Sequence, residues 1–171
     1  MQPLGRWVTA PRDTPRSGCA INAAVEVLGD PWTLIVLRDT MFGGRRHFRD
    51  LLAHSEEGIA SNVLAVRLRA LVAAGLLTRE DARRGQRARY SLTEAGIRTL
   101  PVMVALGTWG RAHRPAAPLL AARQRVMEEG GPAFVDALMD ELREDHLGVA
   151  RPDPSAPRPS ARLAAAFEAA R

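Results

Sequence analysis

No lysine occurs among the 171 residues, so all 24 of the Lys-plus-Arg positions are arginine. Alongside abundant alanine, that bias partly matches a GC-rich coding sequence and does not by itself mark a site. The single cysteine, Cys19, excludes a disulfide within the chain. No stretch approaches the ~20 apolar residues that a membrane helix needs. The N-terminal segment lacks the continuous apolar block of a secretory signal. Asp13, Pro11 and Pro15 also argue against an amphipathic presequence, so the expectation is a cytoplasmic protein. His47, His54, His113 and His146 are scattered without metal-ligand spacing. No P-loop, dinucleotide fingerprint or nucleophile elbow is present. Enzyme chemistry, a cofactor and a bound metal are therefore not expected.

What is present is ordinary globular composition, 46% hydrophobic and 25% charged. The length suits one domain, or one domain plus an appendage. Charge is distributed unevenly. Residues 1–114 carry 17 arginines against 10 acidic residues, whereas residues 115–171 carry 7 against 9. A basic first part points to a polyanionic partner.

Residues 1–18, broken by Pro3, Pro11, Pro15 and Gly18, read as a flexible arm. Ile21, Ala24, Val25 and Leu28 recur at helical spacing and predict a first helix from Cys19 to Leu28. Asp30-Pro31 is a helix start, because the carboxylate accepts first-turn N–H groups and proline fits the first position. A second helix follows to Met41, ended by Gly43-Gly44. A short third helix spans His47 to His54. A fourth runs from Ala60 to Ala74, with Leu64, Leu68, Leu71 and Val72 as its apolar stripe. Leu76–Asp81 and Arg87–Leu92 read as two strands joined by a turn. Thr93 caps a fifth helix to Trp109, which Pro101 is expected to kink. After a joint at residues 114–118, helices are expected over 119–128 and 132–146. A Pro-rich flexible linker follows over 148–160, then a short alanine-rich helix to residue 171. The fold class is mainly α with a small β-hairpin: a winged helix-turn-helix over 19–113, a helical extension over 114–147, and residues 148–171 beyond it.

That order of elements suits DNA reading. A recognition helix needs a buried stripe to fix it and a polar N-terminal end to reach base edges. Ser61 and Asn62 stand at that end, and Asn pairs with adenine through two hydrogen bonds. Arg67 and Arg69 lie off the apolar stripe, Arg67 as a candidate base reader and Arg69 as a candidate backbone contact, with a surface ion pair as the alternative for one of them. Arg83 and Arg84 stand at the wing tip with Arg87 and Arg89 returning from it, and Arg45, Arg46 and Arg49 surround the start of the third helix. All these arginines are candidate phosphate contacts. The plainer alternatives are that Ser61 and Asn62 only cap their helix and that the wing arginines only solvate a turn.

Several segments in order resemble the HxlR-type family of bacterial winged-helix regulators. They are Cys19-Ala20-Ile21, Leu28 through Arg38 (LGDPWTLIVLR), Phe48-Arg49-Asp50-Leu51, Gly58 through Leu64 (GIASNVL), Arg67 through Leu71 (RLRAL), Ala74 through Leu77 (AGLL) and Tyr90 through Gly96 (YSLTEAG). The likeness covers about residues 19–110. It implies a homodimer on a pseudo-palindromic double-stranded operator, joined through the N-terminal helix and the helix after the wing. That assigns Ile21, Val25, Leu100, Val104 and Trp109 to the dimer interface. It also makes Cys19 a candidate sensor of a thiol-reactive effector, against the alternative of a buried, inert thiol.

This chain departs from the common pattern in having Ala20 where proline often follows the cysteine, in its arginine-rich wing, and in its long tail. The tail helices enlarge the interface, pack on the fifth helix, or form a small-molecule effector pocket. The function expected is a repressor that responds to an effector. The alternative is a winged-helix protein-interaction module without specific DNA binding. No membrane partner is expected.

Overall fold

The computed structural model describes residues 16–80 and 87–171. Most of the expected arm, and the wing tip with Arg83 and Arg84, lie outside the described residues. The chain divides into two compact units, Met1–Gly96 and Ile97–Arg171.

The first unit begins with α1 (Ala20–Leu28) and α2 (Pro31–Gly43). Asp30 caps α2 as the sequence predicts, with Oδ1 accepting from the N–H groups of Trp32 and Thr33. Val36, Leu37 and Met41 turn into the core. Then come α3 (Phe48–Ala53), a turn in which Ser55 Oγ accepts from the Ile59 N–H at 3.1 Å, and α4 (Ser61–Ala73). Leu51, Ile59, Leu64, Leu68 and Leu71 close over α2. β1 (Leu77–Glu80) and β2 (Arg89–Leu92) pair antiparallel, Leu77 opposite Leu92 and Arg79 opposite Tyr90.

β2 is also held on its other side. His47 bridges to Arg89, and the Tyr90 N–H donates to the Arg46 carbonyl at 2.8 Å. The hairpin is thereby tied to the start of α3. Beyond β2, Thr93 Oγ1 accepts from the Gly96 N–H at 3.0 Å and opens α5 (Glu94–Ile97). Gly96 has no room for a side chain there, because a β-carbon would lie 2.2 Å from the Leu76 carbonyl oxygen.

The expected fifth helix is two helices. Pro101 does not kink a continuous helix but stands in the first turn of α6 (Leu100–His113), where its missing N–H has no intrahelical partner to lose. The units part after Gly96 rather than at the joint expected near residue 114. The physical reason is that α6 packs on α7 (Pro118–Leu147). Gln124 Nε2 donates to the Val104 carbonyl and to Thr108 Oγ1, both at 3.0 Å, and Arg111 pairs with Glu128 at 2.5 Å. Gly107 makes this approach feasible, since a β-carbon there would meet Gln124 Oε1 at 2.2 Å.

In α7 the helical course breaks at Gly131, whose φ of 60° and ψ of −160° suit only glycine, and resumes at Pro132. This is the separation expected between the two tail helices. Val135, Leu138 and Leu142 are buried, and α8 (Pro159–Ala169) packs on α7 with Leu163 inside. The Pro-rich stretch expected to be a free linker is instead fastened. Arg151 reaches Glu144 at 3.1 Å and the carbonyls of Pro154 and Ala156 at 2.9 and 3.0 Å. Arg123 lies over the Phe167 ring at 4.1 Å, a cation–π contact that also joins α7 to α8.

Buried Glu141 is the polar clasp between these helices. It accepts from Arg158 Nε at 2.8 Å, the Ser160 N–H at 2.9 Å and Ser160 Oγ. Burial pushes its carboxyl up, but the bonds from Ser160 and Arg158 together outweigh burial and hold it below the ordinary range. A depressed carboxyl stabilises the fold above its unfolded value of ~4.3, and that contribution disappears as pH falls through the lower folded value. Acidification is therefore expected to lower amide protection, relative to the intrinsic exchange rate at each pH, in α8 before it does so in β1 and β2. Glu141→Gln should remove most of that pH dependence.

Candidate nucleic-acid interface

The α4 helix presents two faces. Leu64, Arg67, Leu68 and Leu71 form the buried stripe, at the i, i+3, i+4, i+7 spacing of a helix packed on one side. Ser61 and Asn62 are exposed in the first turn, and Arg69 is exposed seven residues beyond Asn62, on the same side of the helix. The N-cap is Ala60, with no side-chain cap bond. Ser61 and Asn62 therefore lie within the helix rather than capping it, which overturns the plainer expectation for both.

Arg67 is not on that exposed face, contrary to its expected role as a base reader. It is 8% exposed, and its Nη2 lies 3.1 Å from Asp30 Oδ2. The spacing from Leu64 gives the reason. Position 67 falls within the stripe, three residues beyond Leu64 and four before Leu71.

Arg45 and Arg46 also differ from expectation. Arg45 Nη1 pairs at 3.0 Å with buried Asp39. Arg38 holds the same Asp39 through Nε at 3.0 Å and Nη2 at 2.8 Å, and grips Glu57 through two bonds at 2.5 and 2.8 Å. The Arg38 hydrogen bonds keep the Glu57 carboxyl below the usual range. Arg46 Nε donates to the Tyr90 carbonyl at 3.2 Å, and Nη2 donates to Ser91 Oγ. These two arginines brace α2 and the hairpin, so phosphate contact is not their primary engagement.

Arg49 and Arg87 are exposed, as a backbone contact requires. They line one open cleft of about 390 Å³ with His47, Phe48, Arg79, Ala88 and Tyr90. Arg79 was not singled out in the sequence. The strand pairing brings it there, because it stands opposite Tyr90 across the hairpin. His47 Nδ1 lies 3.1 Å from the Ala88 carbonyl, fixing the imidazole at the cleft wall. The arrangement gathers at least three guanidinium groups where the start of α3 meets the hairpin. That is suited to holding phosphates while side chains reach into a groove.

The residues assigned to a dimer interface differ in exposure. Ile21 and Val25 on α1 are 75% and 58% exposed, and Trp109 on α6 is 59% exposed. Val104 is half-buried. Leu100 is fully buried and has no surface to offer a partner. Val102 and Leu106, not singled out earlier, are exposed and share the α6 face with Trp109 at spacings of four and three residues. Cys19 is exposed, not a buried thiol, and directly precedes α1. Among the described residues no group of His, Cys, Asp and Glu is arranged to hold a metal, and no single helix is long and apolar enough to cross a membrane.

Comparison with known proteins agrees with this geometry. The family model described as HxlR-like helix-turn-helix matches residues 27–118. An uncharacterized HTH-type transcriptional regulator of Mycobacterium tuberculosis is 36% identical over 115 residues, 66% of this chain and 71% of the relative. YdeP of Bacillus subtilis, likewise an HTH-type transcriptional regulator, is 27% identical over 66% of this chain and 87% of its own. Among solved structures, PA1607, assigned as a transcription factor, aligns with a TM-score of 0.53 at 33% identity, over 59% of this chain and 69% of that one. The redox regulator HypR in its oxidized form aligns at 0.50 and 27% identity, over 57% of this chain and all of HypR. The chain belongs to the HxlR-like helix-turn-helix family of DNA-binding transcriptional regulators.

Proposed function

We propose that the chain acts as a dimeric repressor that reads a pseudo-palindromic operator through α4 and is released by a small-molecule or thiol-reactive effector. The observation that carries the reading is the exposed Ser61-Asn62 turn on a helix whose opposite stripe is buried. Each protomer inserts that turn into a major groove, with half-sites about one helical turn (~34 Å) apart. Arg49, Arg69, Arg79 and Arg87 hold phosphates, joined by Arg83 and Arg84 of the wing.

A second copy covers the apolar faces on α1 and α6. Exposed large side chains at helical spacing are what an interface leaves open in a single chain. Cys19, two residues before exposed Ile21, stands where a covalent adduct would disturb that contact. HypR is a redox regulator of the same fold, which supports this choice of sensor.

Salt titration of fluorescence anisotropy tests the DNA reading. Affinity is expected to fall steeply with salt, and Arg87→Ala to flatten the logarithmic slope by about 1 per protomer. A flat wild-type slope would instead favour the protein-interaction module. For the sensor, diamide is expected to release wild-type protein from DNA and to leave Cys19→Ser bound. Equal release of both would remove Cys19 from the account.

A further inference from the structure

One carboxylate does two things at the foot of α2. Asp30 Oδ1 accepts from the N–H groups of Trp32 at 3.0 Å and Thr33 at 3.2 Å, closing the first turn of that helix. Its Oδ2 lies 3.1 Å from Nη2 of Arg67, on the buried stripe of α4. The two side chains are 20% and 10% exposed, so the pair is largely withdrawn from water. Arg67 is the one charged residue among the buried positions of α4.

Stability alone does not account for an arginine at this position. Its Nε is buried and finds no hydrogen-bond partner among the described residues. An unbranched apolar side chain would fill the stripe without stranding that donor. A directional ion pair supplies something that interdigitated leucines supply poorly, namely one fixed rotation and one fixed height of α4 against α2. The magnitude matters for reading bases. Rotating a helix by about 20° carries a side-chain tip ~5–6 Å from its axis through about 2 Å. A hydrogen bond to a base edge tolerates only about 0.5 Å.

We propose that the Asp30–Arg67 pair is a lock that sets how α4 presents Ser61 and Asn62, and so contributes to sequence discrimination without touching DNA. Asp30 and Arg67 are positioning residues, and the inference rests on the α4 reading above.

Asp30→Asn separates the two roles of Asp30. Asparagine caps a helix as well as aspartate does, but offers Arg67 no charge. In the full chain, amide exchange across α4 is expected to rise about tenfold relative to β1 and β2. The affinity ratio of a duplex selected from a random pool to a scrambled duplex should fall about tenfold, the loss of one good base contact. The salt slope should not change. Asp30→Asn/Arg67→Met, which removes both charges and the stranded Nε, should recover the urea midpoint but not the discrimination. Unchanged exchange in α4, or discrimination recovered together with stability, would overturn the lock. If wild type itself prefers no duplex, the α4 reading fails, and the exchange comparison still decides whether the pair holds the helix.

Discussion

Asn62→Ala is expected to weaken binding to a selected duplex about tenfold or more while leaving affinity for a scrambled duplex almost unchanged. A bidentate contact to a base discriminates by ~1–3 kcal/mol, and contacts to the phosphates do not sense its loss. The geometry makes the substitution clean. Asn62 is exposed, lies outside the buried stripe and makes no capping bond, so alanine should cost the fold little. Anisotropy with both duplexes at one salt concentration measures the effect. Equal loss on the two would mean that Asn62 contributes only to general attraction.

Gly96→Ala is expected to be among the most destabilising single-methyl additions in the chain. The added carbon would stand 2.2 Å from the Leu76 carbonyl oxygen and 3.2 Å from a Leu92 methyl. That carbonyl cannot retreat freely, because it accepts from the Thr93 N–H at 3.1 Å and from Thr93 Oγ1 at 3.3 Å. Overpacking of this kind costs ~1–3 kcal/mol, and a backbone obstacle places Gly96 at the upper end. Gly107→Ala is the control. Its new carbon meets Gln124 Oε1 equally closely, but that group is the end of a movable side chain. Rotation forfeits two hydrogen bonds, ~0.5–1.5 kcal/mol each, partly offset by the better helix propensity of alanine. Urea unfolding should rank Gly96→Ala well below Gly107→Ala in midpoint. The reverse order would contradict the packing described around α5.

Much of this was legible in the sequence where local chemistry decides the outcome. Asp30-Pro31 marks the start of α2, Gly44 follows its end with φ of 60°, and the apolar stripe identifies α4. The polar first turn of α4 also came through directly from Ser61 and Asn62. What stayed hidden is the destination of each arginine. Sequence gives every guanidinium the same charge, but partners brought together by the fold decide which ones face solvent. Arg45 is claimed by Asp39, Arg46 by the β2 backbone and Ser91, and Arg67 by Asp30. Arg79 went unnoticed because only strand register brings it beside Arg49 and Arg87.

Pro101 was misplaced for a related reason. A proline inside an apolar run predicts a kink, and only the turn at residues 98–99 reveals that a new helix begins there. The Pro-rich stretch over 148–160 reads as a flexible linker. Its order comes from Glu141, Arg151 and Arg158, polar residues whose pairings leave no periodic signal.

The most direct test of the central claim is in vitro selection of binding sites from a random duplex pool with the full-length protein. The account predicts enrichment of an inverted repeat whose half-site centres lie about one helical turn (~10 bp) apart. It also predicts that Asn62→Ala, selected in parallel, loses preference at discrete positions within each half-site. Retention of the pool without enrichment of any motif would contradict sequence reading by α4.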